Sequence, residues 1–233
     1  TFLPVKDDDA AKHPMHTEHF EVRRATVAHL LERWGHITAV GTTSVRTLES
    51  LPALAWRIRT AGDPATEQVI GQWELYDIPE EFTGREALEM LLAYMETHGL
   101  ESLKASTQIM ITPLGYEFRI VQHIITNFHQ PKSTLLLLVS AYVGEAWRDI
   151  YDYALAHDFR FLSYGDSSVL MPWLPSAAVG SVYGPEATAA SFPVHDRLPF
   201  TLQPEDSERY TASAHEDGHR HRVHRHDCPS ADT

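Results

Sequence analysis

Hydrophobic positions along the 233 residues follow two different periods. Short apolar runs at 36–41, 68–76, 106–112, 117–128 and 160–171 predict strands. Between and around them, apolar residues recur at helical spacing over 22–34, 44–58, 84–98, 133–143 and 145–157, with Gly144 as the break between the last two. This alternation predicts an α/β fold: a mixed, mainly parallel sheet or partial barrel with surrounding helices. The runs 106–112 and 117–128 flank Pro113 to Tyr116 and predict one hairpin. Residues 61–66 and 101–104 read as connecting loops. The pattern stops near Met171. It divides the chain into an α/β catalytic-type domain, 1–171, and a low-complexity tail, 172–233, with His215, His219, His221, His224 and His226. The tail is expected to be disordered.

Three turns in this pattern carry chemistry. Thr126-Asn127-Phe128-His129-Gln130-Pro131-Lys132-Ser133-Thr134 joins a strand end to a helix start, where α/β proteins place their sites. Pro131 forbids a regular helix through the turn, and Ser133 or Thr134 can cap the helix that follows. Its first N–H groups, with Lys132 beside them, then suit an anion. Gly41-Thr42-Thr43-Ser44 opens the helix that carries Arg46 and Glu49. A glycine and three hydroxyl residues there offer more donors than a cap requires, and they suit a phosphate or carboxylate. The spacing is neither that of a P-loop nor that of a dinucleotide fingerprint. In the extended run from His13 to Phe20, His16, Glu18 and Phe20 share one face. An imidazole beside a carboxylate can be a base with its orienting partner. His13, His16 and Glu18 are also possible zinc ligands for a hydrolase, although no cysteine pair or His-Glu-x-x-His pattern accompanies them.

Taken in order, five segments resemble a known family. They are His-x-Met-His-x-Glu at 13–18, Val-Gly-Thr-Thr-Ser-Val-Arg-x-Leu-Glu at 40–49, Gly-Tyr-x-Phe at 115–118, Thr-Asn-Phe-His-x-Pro-Lys-Ser-Thr-Leu at 126–135 and Arg-Phe-x-Ser-Tyr-Gly-Asp at 160–166. The chain is similar over about Thr1 to Met171 to the S-adenosylmethionine:tRNA ribosyltransferase-isomerases of queuosine synthesis. The resemblance implies transfer of the ribosyl part of S-adenosylmethionine to 7-aminomethyl-7-deazaguanine at the tRNA wobble position. Epoxyqueuosine forms, and adenine and methionine leave. It also implies no prosthetic group, S-adenosylmethionine as co-substrate and tRNA as partner; a monomer is expected, and the single cysteine with no long apolar stretch leads to the expectation of a cytoplasmic location. The family's inserted β-barrel is expected to be absent or mostly absent, with the N-terminal part truncated. Leu114 and Gln122 stand where the family commonly has proline and aspartate, and the wording Gln-Pro-Lys-Ser-Thr at 130–134 and Trp147-Arg148 to Tyr153 resembles a divergent branch. A second reading is an inactive or altered-specificity relative that binds an adenosyl or nucleoside ligand.

That reaction calls for particular groups. The sulfonium acidifies the adjacent 5′ carbon, so a base poised near neutral pH is required. His129 and His16 are the candidates by type, with Glu18 to orient an imidazole. Tyr164 or Asp166 is placed to donate to the departing adenine, the latter only if kept protonated. Gly41, Thr42, Thr43, Ser44 and Arg46, with Thr126 and Asn127, are assigned to the donor. Lys132, Ser133 and Thr134 are assigned to a substrate anion, and Tyr116 or Phe128 to stacking on a splayed base.

Composition changes this picture in two ways. The formal net charge is −13, unlike a general nucleic-acid binder. A tRNA surface would therefore need a local patch drawn from Arg23, Arg24, Arg33, Arg57, Arg59, Arg119, Lys132, Arg148 and Arg160. The single cysteine, Cys228, excludes an intramolecular disulfide, and Leu135 to Val139 is too short to span a bilayer.

Overall fold

The structure, a computed structural model, describes residues 14–62 and 68–171. His13 and the tail 172–233 lie outside the described residues. In chain order the elements are β1 (Glu18–Arg23), α1 (Arg24–Glu32), β2 (Thr38–Val40), α2 (Thr42–Ala61), β3 (Gln68–Ile70), a short 3-10 helix (Glu74–Asp77), α3 (Gly84–Thr97), β4 (Ser102–Thr107), β5 (His123–Asn127), α4 (Thr134–Val143), α5 (Ala146–Ala156) and β6 (Ser167–Leu170). All five predicted helices form.

The strands make two three-stranded sheets, ordered β1-β4-β3 and β2-β5-β6. β4 runs antiparallel to β1 and parallel to β3, while β5 runs parallel to β2 and antiparallel to β6. The mixed α/β class expected from the pattern is therefore present, with parallel and antiparallel pairings evenly divided rather than mainly parallel. The expected hairpin does not form. β4 lies at Ser102–Thr107, so most of 101–104 is strand rather than loop, and β5 starts only at His123, in the other sheet. The apolar run between them is buried without being strand: Ile109, Met110, Ile111, Tyr116, Ile120 and Val121 are all core. Apolarity marked burial, and several of the backbone N–H groups bond side chains instead of a neighbouring strand. Likewise 160–166 is a turn, closed by Asp166 N donating to Arg160 O at 2.8 Å, and only Ser167–Leu170 is strand.

Period-2 burial holds within the second sheet. Ala39, Ile124 and Leu170 face the core, while Val40 and Val169 face solvent. α2 is the central support, burying Val45, Leu51, Ala53, Leu54 and Ala55. α3 shows why its boundaries were legible. Thr83 Oγ1 accepts from Glu86 N at 3.1 Å as an N-cap, and Ala87, Leu88, Leu91 and Met95 form one buried stripe. Its first residue must be small: a Cβ on Gly84 would lie 2.0 Å from Arg119 O and 3.1 Å from a ring carbon of Trp34.

Candidate active site

Two of the sequence-derived turns leave the same edge of the second sheet. β2 and β5 are parallel, with Val40 opposite Ile125, and Gly41 N donates to Ile125 O at 2.8 Å. Carboxyl ends of adjacent parallel strands are the usual ligand edge of an α/β fold. Gly41 is the N-cap of α2, with φ 85° and ψ 150°, and no side chain caps the helix. The first helical bond is Val45 N to Gly41 O, so the N–H groups of Thr42, Thr43 and Ser44 precede the ladder at its positive end. Thr42 is buried, whereas Thr43 and Ser44 are exposed. A Cβ on Gly41 would meet nothing within 4 Å, so the requirement for glycine is purely one of backbone. Gly41→Ala is expected to cost about 1–2 kcal/mol in urea unfolding through the positive φ alone; unchanged stability would show that this turn is not held as described.

At the neighbouring strand end, Thr126 and His129 are both buried, and Thr126 Oγ1 lies 2.9 Å from His129 Nε2. The His129 backbone N–H donates to Tyr151 Oη at 3.0 Å. Asn127 Nδ2 donates to Gly165 O, Asp166 O and Ser167 Oγ, which fastens this edge to the start of β6. Phe128 is packed against Tyr151, Phe159 and Phe161. Tyr116 is also core, so the two aromatics assigned to base stacking are filled with protein contacts, while Tyr164 is 90% exposed. Ser133 caps α4, accepting from Leu136 N at 3.2 Å, and Thr134 is its first residue. Lys132 is exposed, with φ 54°. Asp166 accepts from Arg160 N at 2.7 Å and pairs with the Arg160 guanidinium. Those bonds hold its carboxyl below the usual range, which is the wrong direction for a proton donor.

Burial lowers the His129 pKa to about 4. The imidazole is neutral at pH 7, and its Nε2 already faces Thr126. A folded-state pKa below the unfolded value means stability that is present above pH ~6.5 and is lost as pH falls toward ~4, by about 2–3 kcal/mol. His129→Gln is expected to flatten that part of the urea-unfolding pH profile relative to wild type. An identical decline in both proteins would mean that His129 titrates normally.

A second group joins the two sheets. Arg46, one turn into α2, is 4% exposed; its Nε donates to Ile109 O at 3.1 Å, and its Nη1 lies 2.9 Å from Glu18 Oε1. Burial pulls its pKa down against the opposing effect of Glu18. The same Glu18 oxygen lies 3.0 Å from His16 Nε2, and His16 is half-exposed. Glu18 Oε2 and Arg46 Nη2 are buried with no hydrogen-bond partner. The guanidinium thus sits against the carboxylate of the zinc reading, and His13, another of its candidate ligands, lies outside the described residues.

One turn further along the same buried face of α2, Glu49 is fully buried and accepts four bonds, from Tyr116 Oη at 2.6 Å, Arg119 N at 2.9 Å, Ile120 N at 3.0 Å and Val121 N at 2.8 Å. Burial raises its pKa against those donors, and the Tyr116 hydroxyl is pushed well above its usual value by burial and by Glu49. Beyond this loop lies a cavity of about 310 Å³ lined by Trp34, Tyr76, Tyr116, Phe118, Arg119 and others, none of them from the Gly41 or Thr126 turns.

The family model described as queuosine biosynthesis protein matches residues 1–170. The chain belongs to that family. It is 41% identical over 177 residues to S-adenosylmethionine:tRNA ribosyltransferase-isomerase of Erythrobacter litoralis, covering 74% of this chain and 38% of that relative. The protein of the same name from Cereibacter sphaeroides is 38% identical over 176 residues, again 74% of this chain and 38% of the relative. The chain thus spans 38% of the length of these relatives. Among solved structures, S-adenosylmethionine tRNA ribosyltransferase from Thermotoga maritima aligns with TM-score 0.42 at 29% identity, over 66% of this chain and 40% of that one.

Within this queuosine biosynthesis family member, the two departures from the resembled pattern have local explanations. Gln122 Oε1 accepts from Ile37 N at 2.9 Å, tying β5 to the approach of β2, and Leu114 lies exposed in the turn before Gly115. Six of the nine basic residues considered for a tRNA surface have partners within the chain. Arg24, Arg57, Arg59, Arg148 and Arg160 each face a carboxylate, and Arg119 holds the carbonyls of Ile78, Pro79 and Phe82. Among the described residues, no helix is long and apolar enough to cross a membrane. Glu49 was named in the sequence beside Arg46 but given no role, and the structure makes it the acceptor that holds the 116–121 segment. Its signal was a carboxylate on the buried face of α2, a position where an ionised group needs several donors.

Proposed function

We propose that this chain forms part of an S-adenosylmethionine:tRNA ribosyltransferase-isomerase. The reaction moves the ribosyl moiety of S-adenosylmethionine to 7-aminomethyl-7-deazaguanine at the tRNA wobble position, gives epoxyqueuosine and releases adenine and methionine. The identity to relatives of that name supports the reading, and one observation carries it: the α2 N-terminus and the Thr126–His129 turn emerge side by side from parallel strands.

Loss of the acidified 5′ proton starts the chemistry. His16 suits the base, being half-exposed with its Nε2 set against Glu18, whereas buried, neutral His129 suits positioning of the edge. The unused N–H groups of Thr42, Thr43 and Ser44, with the exposed hydroxyls of the latter two, suit an anionic group of donor or tRNA. Lys132 at the capped start of α4 suits a phosphate, and Tyr164 is free to stack on a base.

The direct test is incubation with S-adenosylmethionine and tRNA carrying 7-aminomethyl-7-deazaguanine, with adenine, methionine and epoxyqueuosine followed by mass spectrometry. Turnover is expected to fall about 100-fold in His16→Ala, with little loss of stability; wild-type turnover in that variant would remove His16 as the base. Donor binding without any product would favour the altered-specificity relative.

A further inference from the structure

The Glu18–Arg46 pair has an unusual imbalance. Two of the three guanidinium nitrogens are fixed, Nε by Ile109 O at 3.1 Å and Nη1 by Glu18 Oε1 at 2.9 Å, and the third is buried without a partner. Glu18 mirrors this. Oε1 meets both Arg46 and His16, and Oε2 is buried with none. Each unpaired buried group costs about 1–3 kcal/mol, more when charged, so a fold retains a fixed, opposite-signed pair of this kind at a stability cost. The contact joins the start of strand β1 to the second turn of α2, twenty-eight positions later in the chain.

We propose that Arg46 Nη2 and Glu18 Oε2 together recognise an α-amino carboxylate, the arginine donating to the carboxylate and the glutamate accepting from the ammonium. A zwitterion supplies a charged acceptor and a charged donor in one small group, one for each of the two unmatched atoms. A nucleobase edge offers one donor and one acceptor, but both are neutral, and their bonds to these atoms are weaker than those of two charged groups. Within the donor reading above, on which the identity of the ligand rests, this group is the methionine end of S-adenosylmethionine. The pair then separates two tasks on one carboxylate: Oε1 orients His16, and Oε2 holds the substrate ammonium.

Three probes test it by isothermal titration of the 233-residue chain: S-adenosylmethionine, 5′-methylthioadenosine, which lacks the amino acid, and free methionine. Wild type is expected to prefer S-adenosylmethionine to 5′-methylthioadenosine. Glu18→Gln and Arg46→Lys should lose about 10- to 100-fold of that preference through S-adenosylmethionine alone. Glu18→Gln is isosteric and lies on an edge strand, so it keeps the test informative if Arg46→Lys does not fold. Equal binding of the two adenosyl probes by wild type, or full preference retained in folded variants, overturns the pair and leaves the donor reading standing. Methionine binding that depends on both residues, with no binding of 5′-methylthioadenosine, supports the pair and removes the donor reading. Binding of none of the three overturns both.

Discussion

Glu49→Ala is expected to lower the unfolding free energy by about 4 kcal/mol, among the largest effects available from one substitution in this chain. The carboxylate is the sole side-chain acceptor shown for three consecutive backbone N–H groups, those of Arg119, Ile120 and Val121, and also takes the Tyr116 hydroxyl. Removing it leaves four donors without this acceptor, three of them buried, each of those a penalty of about 1–3 kcal/mol before relaxation and water entry reduce the total. Glu49→Gln separates charge from shape. Its carbonyl oxygen can still serve one pair of donors, but its NH₂ then faces at least one backbone N–H, donor against donor, so a loss of about 2 kcal/mol is expected. Tyr116→Phe removes one bond and should cost about 1 kcal/mol. Urea unfolding gives all three values. A Glu49→Ala protein within about 1 kcal/mol of wild type would mean that the 116–121 segment finds other acceptors, contrary to the geometry described.

Gly84→Ala is expected to cost about 4 kcal/mol, beyond the usual ~1–3 for overpacking, because the atom it strikes is backbone. The added methyl would sit 2.0 Å from the Arg119 carbonyl oxygen and 2.6 Å from its carbon. Arg119 cannot simply withdraw. Its N–H is bound to Glu49, and its guanidinium grips Ile78, Pro79 and Phe82. The strain therefore spreads into the cavity wall between α1, α3 and this loop. Alanine normally gains over glycine in a helix, by about 1 kcal/mol, so the sign of the result is itself diagnostic. A stabilised Gly84→Ala protein would refute the close approach.

What could be read in the sequence depended on whether the cause was local. α3 was legible because cap, stripe and terminus lie within fourteen residues. The facing of His16 and Glu18 followed from alternation in an extended run, and the structure places them 3.0 Å apart although β1 itself begins only at Glu18. β4 was misplaced because its sequence, SLKAST, is mostly polar, whereas the adjacent apolar residues are core without being strand. The Glu18–Arg46 contact spans both sheets' connections, and no periodicity reports such a meeting. Tyr116 and Phe128 had the right chemistry for stacking and the wrong exposure, since an aromatic ring suits a core as well as a base. The two turns after β2 and β5 were recognised singly; that they lie beside each other depends on the parallel pairing of strands more than eighty residues apart.

α2 imposes a constraint of another kind. Arg46 reaches β1, Glu49 reaches the 119–121 segment, and Arg57 reaches Glu74, so one rod carries three anchors at fixed angles. Inserting a single residue after Arg46 would rotate the two later anchors by about 100° relative to the first. Relatives can exchange many side chains along this helix, but they are expected to keep its count of residues between anchors, and alignments of the family should run through 46–57 without a gap.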